Sequence, residues 1–300
     1  MMASHLDFFG CRHPILCAAM HQVSDASLAI AVHNAGAFPS LSIPNYISNG
    51  GFDQVAYLRD IRTYKDATGS NNLLLSVGGT LLLSNAVVNP FLDLGFQHIE
   101  LFHWASAEPG WKSVIERARK LSGDWGVKFI FKISTGHVAD HLDYPTMLLK
   151  GPEGAGRSAD DSLPLSESFD FCRSELPSAK VIVSGGIYSA AQVTDYLNRG
   201  ALAVAIGSLF AASKESCVSE SVKAKIIASG VSDLQRKGER NLRGLFSSVV
   251  DGDNANLTRT LAMGVRDAGK GGVFMGSAIA HITEILPVRE IVERLVGPPG

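Results

Sequence analysis

Eight short apolar runs recur along the chain, at 14–18 (PILCA), 38–41 (FPSL), 72–77 (NLLLSV), 98–102 (HIELF), 128–133 (KFIFKI), 146–150 (TMLLK), 180–184 (KVIVS) and 203–206 (AVAI). Several lack the polar alternation of a half-exposed strand, which is the pattern of strands covered on both faces. Between them lie stretches of helical period. Residues 24–35 and 111–122 space their apolar side chains for one face, and 189–198 opens with Ser189 and Gln192 at capping-box spacing. Eight strands, most followed by a helix, predict an α/β chain folded as a (β/α)8 TIM barrel. The competing architecture is an open doubly wound sheet, but no G-x-G-x-x-G follows the first strand.

Residues 214–272 break this rhythm with polar, irregular sequence such as "QRKGERNLRG" and "DGDNANLTR". They are expected to form a mostly helical insertion after strand eight, an extension or lid over the barrel mouth. Residues 1–213 and 273–300 then make the barrel, closed by an amphipathic helix over 286–296. The 300 residues are 46% hydrophobic and 19% charged, enough for one large core. A net charge of −2 without a basic run argues against a nucleic-acid partner. No window of 18 apolar residues suggests a membrane span. The start "MMASHLDFFGCRH" does not read as a signal peptide, and the four scattered cysteines form no C-x-x-C pair. The expectation is a cytoplasmic, reduced protein without a metal site.

Three places could carry chemistry. "VIVSGGI" (181–187) ends a strand in Gly185-Gly186, and "AVAIGS" (203–208) ends the next in Gly207-Ser208. At strands seven and eight of a barrel such turns offer bare backbone N–H groups to a phosphate. "CAAMHQVSD" (17–25) ends the first strand: Ala18 and Ala19 let a flat ligand approach, and Met20 is polarizable enough to lie against an aromatic ring system. Lys132 closes strand five at the same mouth, where a fixed cation stabilises negative charge developing on a cofactor ring.

These segments, with "GVKFIFKIS", "LLKGPEGAGR" and the closing "PVREIVERLV", resemble the FMN-dependent nitronate monooxygenases (2-nitropropane dioxygenase-like proteins) from about residue 10 onward. Flavin enoyl-acyl-carrier-protein reductases share the barrel. The resemblance implies FMN as cofactor, its phosphate on Gly185, Gly186, Gly207 and Ser208, and its ring facing Ala19 and Met20. Lys132 would lie near the pyrimidine edge. Ser76 falls where the family often has a flavin-contacting asparagine. The family's G-x-E-A-G-G-H loop, whose histidine is the general base, is matched at Gly151, Glu153 and Gly156, but Arg157 stands in the place of the histidine.

Arginine keeps its proton at any ordinary pH and has no acceptor lone pair, so Arg157 cannot be the base. It can present a planar donor fork to a nitronate, carboxylate or phosphate. Either the small-molecule substrate arrives anionic, or another residue is the base. His21, His103 and His137 follow strands one, four and five, and Asp160 and Asp161 lie in the loop itself. His21 leads, directly after Met20. The readings are a nitronate-oxidising monooxygenase, an enoyl-thioester reductase, or a flavin-binding barrel with altered catalysis. A homodimer is compatible with the apolar C-terminal segment.

Overall fold

The structure, a computed structural model, describes residues 5–48, 51–102, 110–135, 144–157, 163–237, 241–248 and 263–297. His137 and His103, and with them Asp160 and Asp161, lie outside the described residues. Eight parallel strands form one sheet: β1 Ile15–Cys17, β2 Ser40–Ser42, β3 Leu74–Gly78, β4 His98–Phe102, β5 Lys128–Ser134, β6 Thr146–Lys150, β7 Lys180–Ser184 and β8 Ala203–Ile206. From β2 to β8 each strand pairs with the next in sequence, and β8 pairs with β1, so that Ile15 stands opposite Val204 and Cys17 opposite Ile206. The seam between β1 and β2 is drawn together by a parallel bridge between Leu16 and Phe38. There the Cys17 N–H donates to the Phe38 carbonyl at 2.9 Å, and the Phe38 N–H to that of Ile15 at 2.8 Å. The sheet is thus a nearly closed (β/α)8 barrel.

Alternation along each strand sorts the side chains. Val181, Val183, Met147 and Leu149 join the helix-facing core, while Leu16, Leu74, Ile130, Leu148, Ile182, Ala203 and Ala205 fill the barrel interior. The helices form where capping and apolar spacing agree. The helix Ala26–Asn34 starts at Asp25, whose carboxylate accepts the Leu28 N–H at 2.9 Å. The helix Ala190–Asn198 starts at Ser189, whose hydroxyl accepts from Gln192 N while the Gln192 side chain accepts from Tyr188 N. The last helix, Val288–Val296, buries Val288, Ile291, Val292 and Leu295 against the barrel's outer layer.

The described part of the segment 214–272 is less helical than expected from its sequence. It holds the helix Glu220–Ile227, a 3-10 turn and two antiparallel strands, Gln235–Lys237 and Leu242–Phe246. The second strand also pairs with Gly156–Arg157 and with Gly272–Val273. In this narrow ribbon Leu242, Leu245 and Phe246 are buried and Gln235 and Arg236 exposed. No described helix is long and apolar enough to cross a membrane.

The N-terminal helix His5–Phe9 plugs the lower end of the barrel with Phe8 and Phe9, both buried. His98 Nε2 donates to the Phe8 carbonyl at 2.7 Å, and Lys128 Nζ donates to the same oxygen at 2.6 Å. Burial pushes the His98 imidazole down to about 4, below its ordinary 6.5. The folded state therefore binds fewer protons than the unfolded chain between those values. Stability present above pH 6.5 is lost as the pH falls toward 4, by about 3 kcal/mol for this one residue. Denaturant titrations at pH 7 and pH 4.5 should show the loss, and His98→Gln should reduce it, leaving the part due to His21, which burial also pushes down to about 4.

Candidate active site at the barrel mouth

Two residues beyond the apolar interior layer, on the same inward faces, the strands turn polar. Leu74 is followed by Ser76, His98 by Glu100, Ile130 by Lys132, Leu148 by Lys150 and Ile182 by Ser184. Registers place Ser76 opposite Glu100, Ser134 opposite Lys150, and Lys150 opposite Ser184. The sequence thus builds a polar ring at the C-terminal mouth of the barrel.

Glu100 anchors that ring. It is fully buried, and its Oε1 accepts from Ser76 Oγ at 2.7 Å and from Lys132 Nζ at 3.1 Å. Its Oε2 is buried without a hydrogen-bond donor among the described residues. Lys132, expected as a fixed cation, is paired with this carboxylate, and the Ser76 proton is committed to it. Lys150 is the second lysine of the ring. Its side chain is half-buried but its nitrogen is crowded, and it donates to the Arg157 carbonyl at 2.5 Å. Desolvation, reinforced by Lys132, Arg236 and Arg157 and opposed by Glu100, pushes it down to about 7.

The loop from Lys150 to Arg157 is tied down from several directions. The Gly151 N–H donates to the Ser184 carbonyl at 2.9 Å, Arg243 Nη1 to the Pro152 carbonyl at 2.9 Å, and the Ser277 N–H to the Glu153 carbonyl at 2.8 Å. Gly156 and Arg157 form a short strand facing Arg243 and Leu242. Gly186 lies against this loop at φ +70, and a Cβ there would meet Glu153 Cβ and Ser277 Oγ, each at 2.9 Å.

The other glycine turn comes to the same mouth. Ala18 N donates to the Ile206 carbonyl at 3.0 Å, and a Cβ on Gly207 would lie 3.6 Å from Met20 Sδ and 3.8 Å from Ala18 Cβ. The ends of β1 and β8 are therefore in contact, and Ala19, Met20, Gly207 and Ser208 cluster. Ser208 Oγ accepts from Gly276 N at 3.0 Å, which leaves its own proton to give. His21 is half-buried in the turn after Met20. Desolvation pushes it down to about 4, so it is a neutral and weak base at pH 7.

Glu100, Lys150, Gly276 and Ser277 were not among the site residues expected from sequence. The first two share the inward parity of Ser76 and Lys132, a signal present in "HIELF" and "TMLLK". Gly276 and Ser277 lie outside any strand–helix rhythm, and only the fold brings them to the mouth.

The nearly closed barrel, with glycine turns after β7 and β8 and a cationic mouth, is a (β/α)8 protein whose candidate site lies at the C-terminal ends of the strands. The nitronate monooxygenase family model matches residues 144–297, just over half of the chain. The chain belongs to the nitronate monooxygenase family, and it is a flavin-dependent oxidoreductase. Among solved structures, FabK from Thermotoga maritima superposes with a TM-score of 0.79 at 20% identity, over 98% of this chain and 95% of that one. The nitroalkane oxidase from Streptomyces ansochromogenes does so with a TM-score of 0.74 at 18% identity, over 97% and 96%. At these identities the likeness is one of fold.

Because Gly186 combines a left-handed backbone with a crowded Cβ position, Gly186→Ala should destabilise the fold by at least about 1–2 kcal/mol. Urea unfolding, read beside the control Gly123→Ala in open space, checks this.

Proposed function

We propose that the protein is an FMN-dependent oxidoreductase that oxidises a small anionic organic substrate, a nitronate in the first instance, and that Arg157 anchors the anion. The observation that carries this reading is the charge of the mouth. Lys132, Lys150, Arg157, Arg236 and Arg243 interact electrostatically across it, against the carboxylates of Glu100 and Glu153. Such an excess of cations in a partly desolvated site favours anions.

The residues present fit FMN. Gly185, Gly186 and Gly207 end β7 and β8 without side chains, and Ser208 has a hydroxyl proton to donate, the chemistry a phosphate needs. The buried, donorless Oε2 of Glu100 calls for an N–H or hydroxyl donor, which the ring and ribityl chain of FMN carry. Bound there, FMN would supply the two-electron chemistry. Ala19 and Met20 would face its ring, Gly156 would lie beside it, and the Lys132–Glu100–Ser76 chain would sit at its polar edge. Arg157 would hold the substrate anion by charge-assisted hydrogen bonds. His21, neutral at pH 7, would shape the turn rather than carry charge.

The purified protein should be yellow with bound FMN and should consume oxygen with ethylnitronate in the absence of a nicotinamide. Arg157→Ala should raise KM for ethylnitronate about 10- to 100-fold, the loss of a charge-assisted contact, and change kcat much less. Nicotinamide oxidation that depends on an enoyl thioester, without nitronate oxidation, would instead select the reductase reading. Bound flavin with neither activity would mark a barrel with altered catalysis.

A further inference from the structure

Two inward lysines share the mouth with one buried carboxylate, and their bonds separate them. Lys132 is held by the Glu100 carboxylate at 3.1 Å, a partner that stabilises the ammonium. Lys150, on the adjacent strand, bonds instead to the backbone carbonyl of Arg157. A carbonyl accepts from an amine as well as from an ammonium, so this contact does not require the third proton. The charged groups felt by Lys150 are Glu100 from β4, Lys132 from β5, Arg157 from the loop and Arg236 from the ribbon, three cations to one carboxylate. Its register partners Ser134 and Ser184 are uncharged.

The loop is shaped around this amine. A Cβ at Gly154 would stand 2.9 Å from Lys150 Cε, and one at Gly156 would stand 3.9 Å from Lys150 Nζ. The glycines leave room for the lysine directly beneath the segment that carries Arg157.

We propose that Lys150 is the proton acceptor of this site, taking a proton from the carbon beside a nitro group while Arg157 holds the anion that results. This rests on the mouth being the substrate site proposed above, and extends that site to neutral nitroalkanes. In the step, the α C–H bond breaks and the proton passes to the Nζ lone pair. The bonding electron pair moves onto the nitro oxygens. A neutral amine and a neutral nitroalkane become an ammonium and a nitronate, and no oxidant is consumed. The cations that disfavour the ammonium beforehand stabilise the nitronate afterwards. With Lys150 pushed down to about 7, a substantial fraction of the amine is free at neutral pH.

The test is exchange of the α-protons of nitroethane in D2O, followed by proton NMR with the FMN-loaded protein under anaerobic conditions. The wild-type protein should catalyse exchange, with a rate that rises through about pH 7. Lys150→Met and Lys150→Arg should each lose it by about 100-fold or more, although the second keeps the charge and a donor for the Arg157 carbonyl. A second measurement needs no variant: carbon-13 NMR of the reductively dimethylated protein should show Lys150 titrating near 7. Exchange that persists in either variant, or titration of Lys150 above about 10, the ordinary lysine range, would overturn the proposal. Exchange without ethylnitronate oxidation would uphold Lys150 and sink the oxidase reading. Ethylnitronate oxidation without exchange would do the reverse.

Discussion

The backbone hydrogen bonds at the seam between β1 and the segment entering β2 are the constraint on which the remainder depends. Without the Cys17–Phe38 and Phe38–Ile15 bonds the eight strands would be an open sheet with two faces of equal standing. With them one face becomes an interior, and strand alternation acquires a fixed meaning: one parity packs on helices, the other looks inward. The inward parity is apolar at mid-barrel and ionic two residues higher. The position of the polar ring therefore follows from closure.

A carboxylate fully removed from water is costly unless it is matched. Glu100 is matched on one oxygen by a lysine and a serine, and left open on the other. The pair engages Lys132 with the only inward carboxylate among the described residues of the ring, while Lys150 stands among more cations than carboxylates. One buried acid thus divides two similar lysines into a held cation and a titratable amine. Arg157 adds a further positive group beside Lys150.

Much of the barrel was legible in the sequence because strands covered on both faces are written as apolar runs. β4, β6, β7 and β8 match the runs 98–102, 146–150, 180–184 and 203–206 residue for residue. Ser189 announces its helix through a cap that the structure contains. The helix Gln54–Thr68 carried comparable signals, with Asp53 before it, Tyr57, Ile61 and Tyr64 on one face and Gly69 after it. The ribbon was not legible, because Gln235–Lys237 and Leu242–Phe246 owe their strand character to pairing with distant segments rather than to local preference. Within the site, the glycine turns and Lys132 could be read from local pattern. The partnership of Lys132 with Glu100, 32 residues away, and that of Ser208 with Gly276, 68 residues away, belong to the tertiary fold.

The loop that carries Arg157 has a consequence for how the protein is made. Its supports come from Ser184, Arg243 and Ser277, all later in the chain. β1 waits for β8, since Val204 N donates to the carbonyl of Pro14. The border of β1 is thus unpaired until β8 follows, and the mouth of the barrel is incomplete until Ser277 is in place. Contacts of such long sequence separation fold slowly. The walls of the mouth are therefore joined by contacts that close late in folding, after the sheet they sit on.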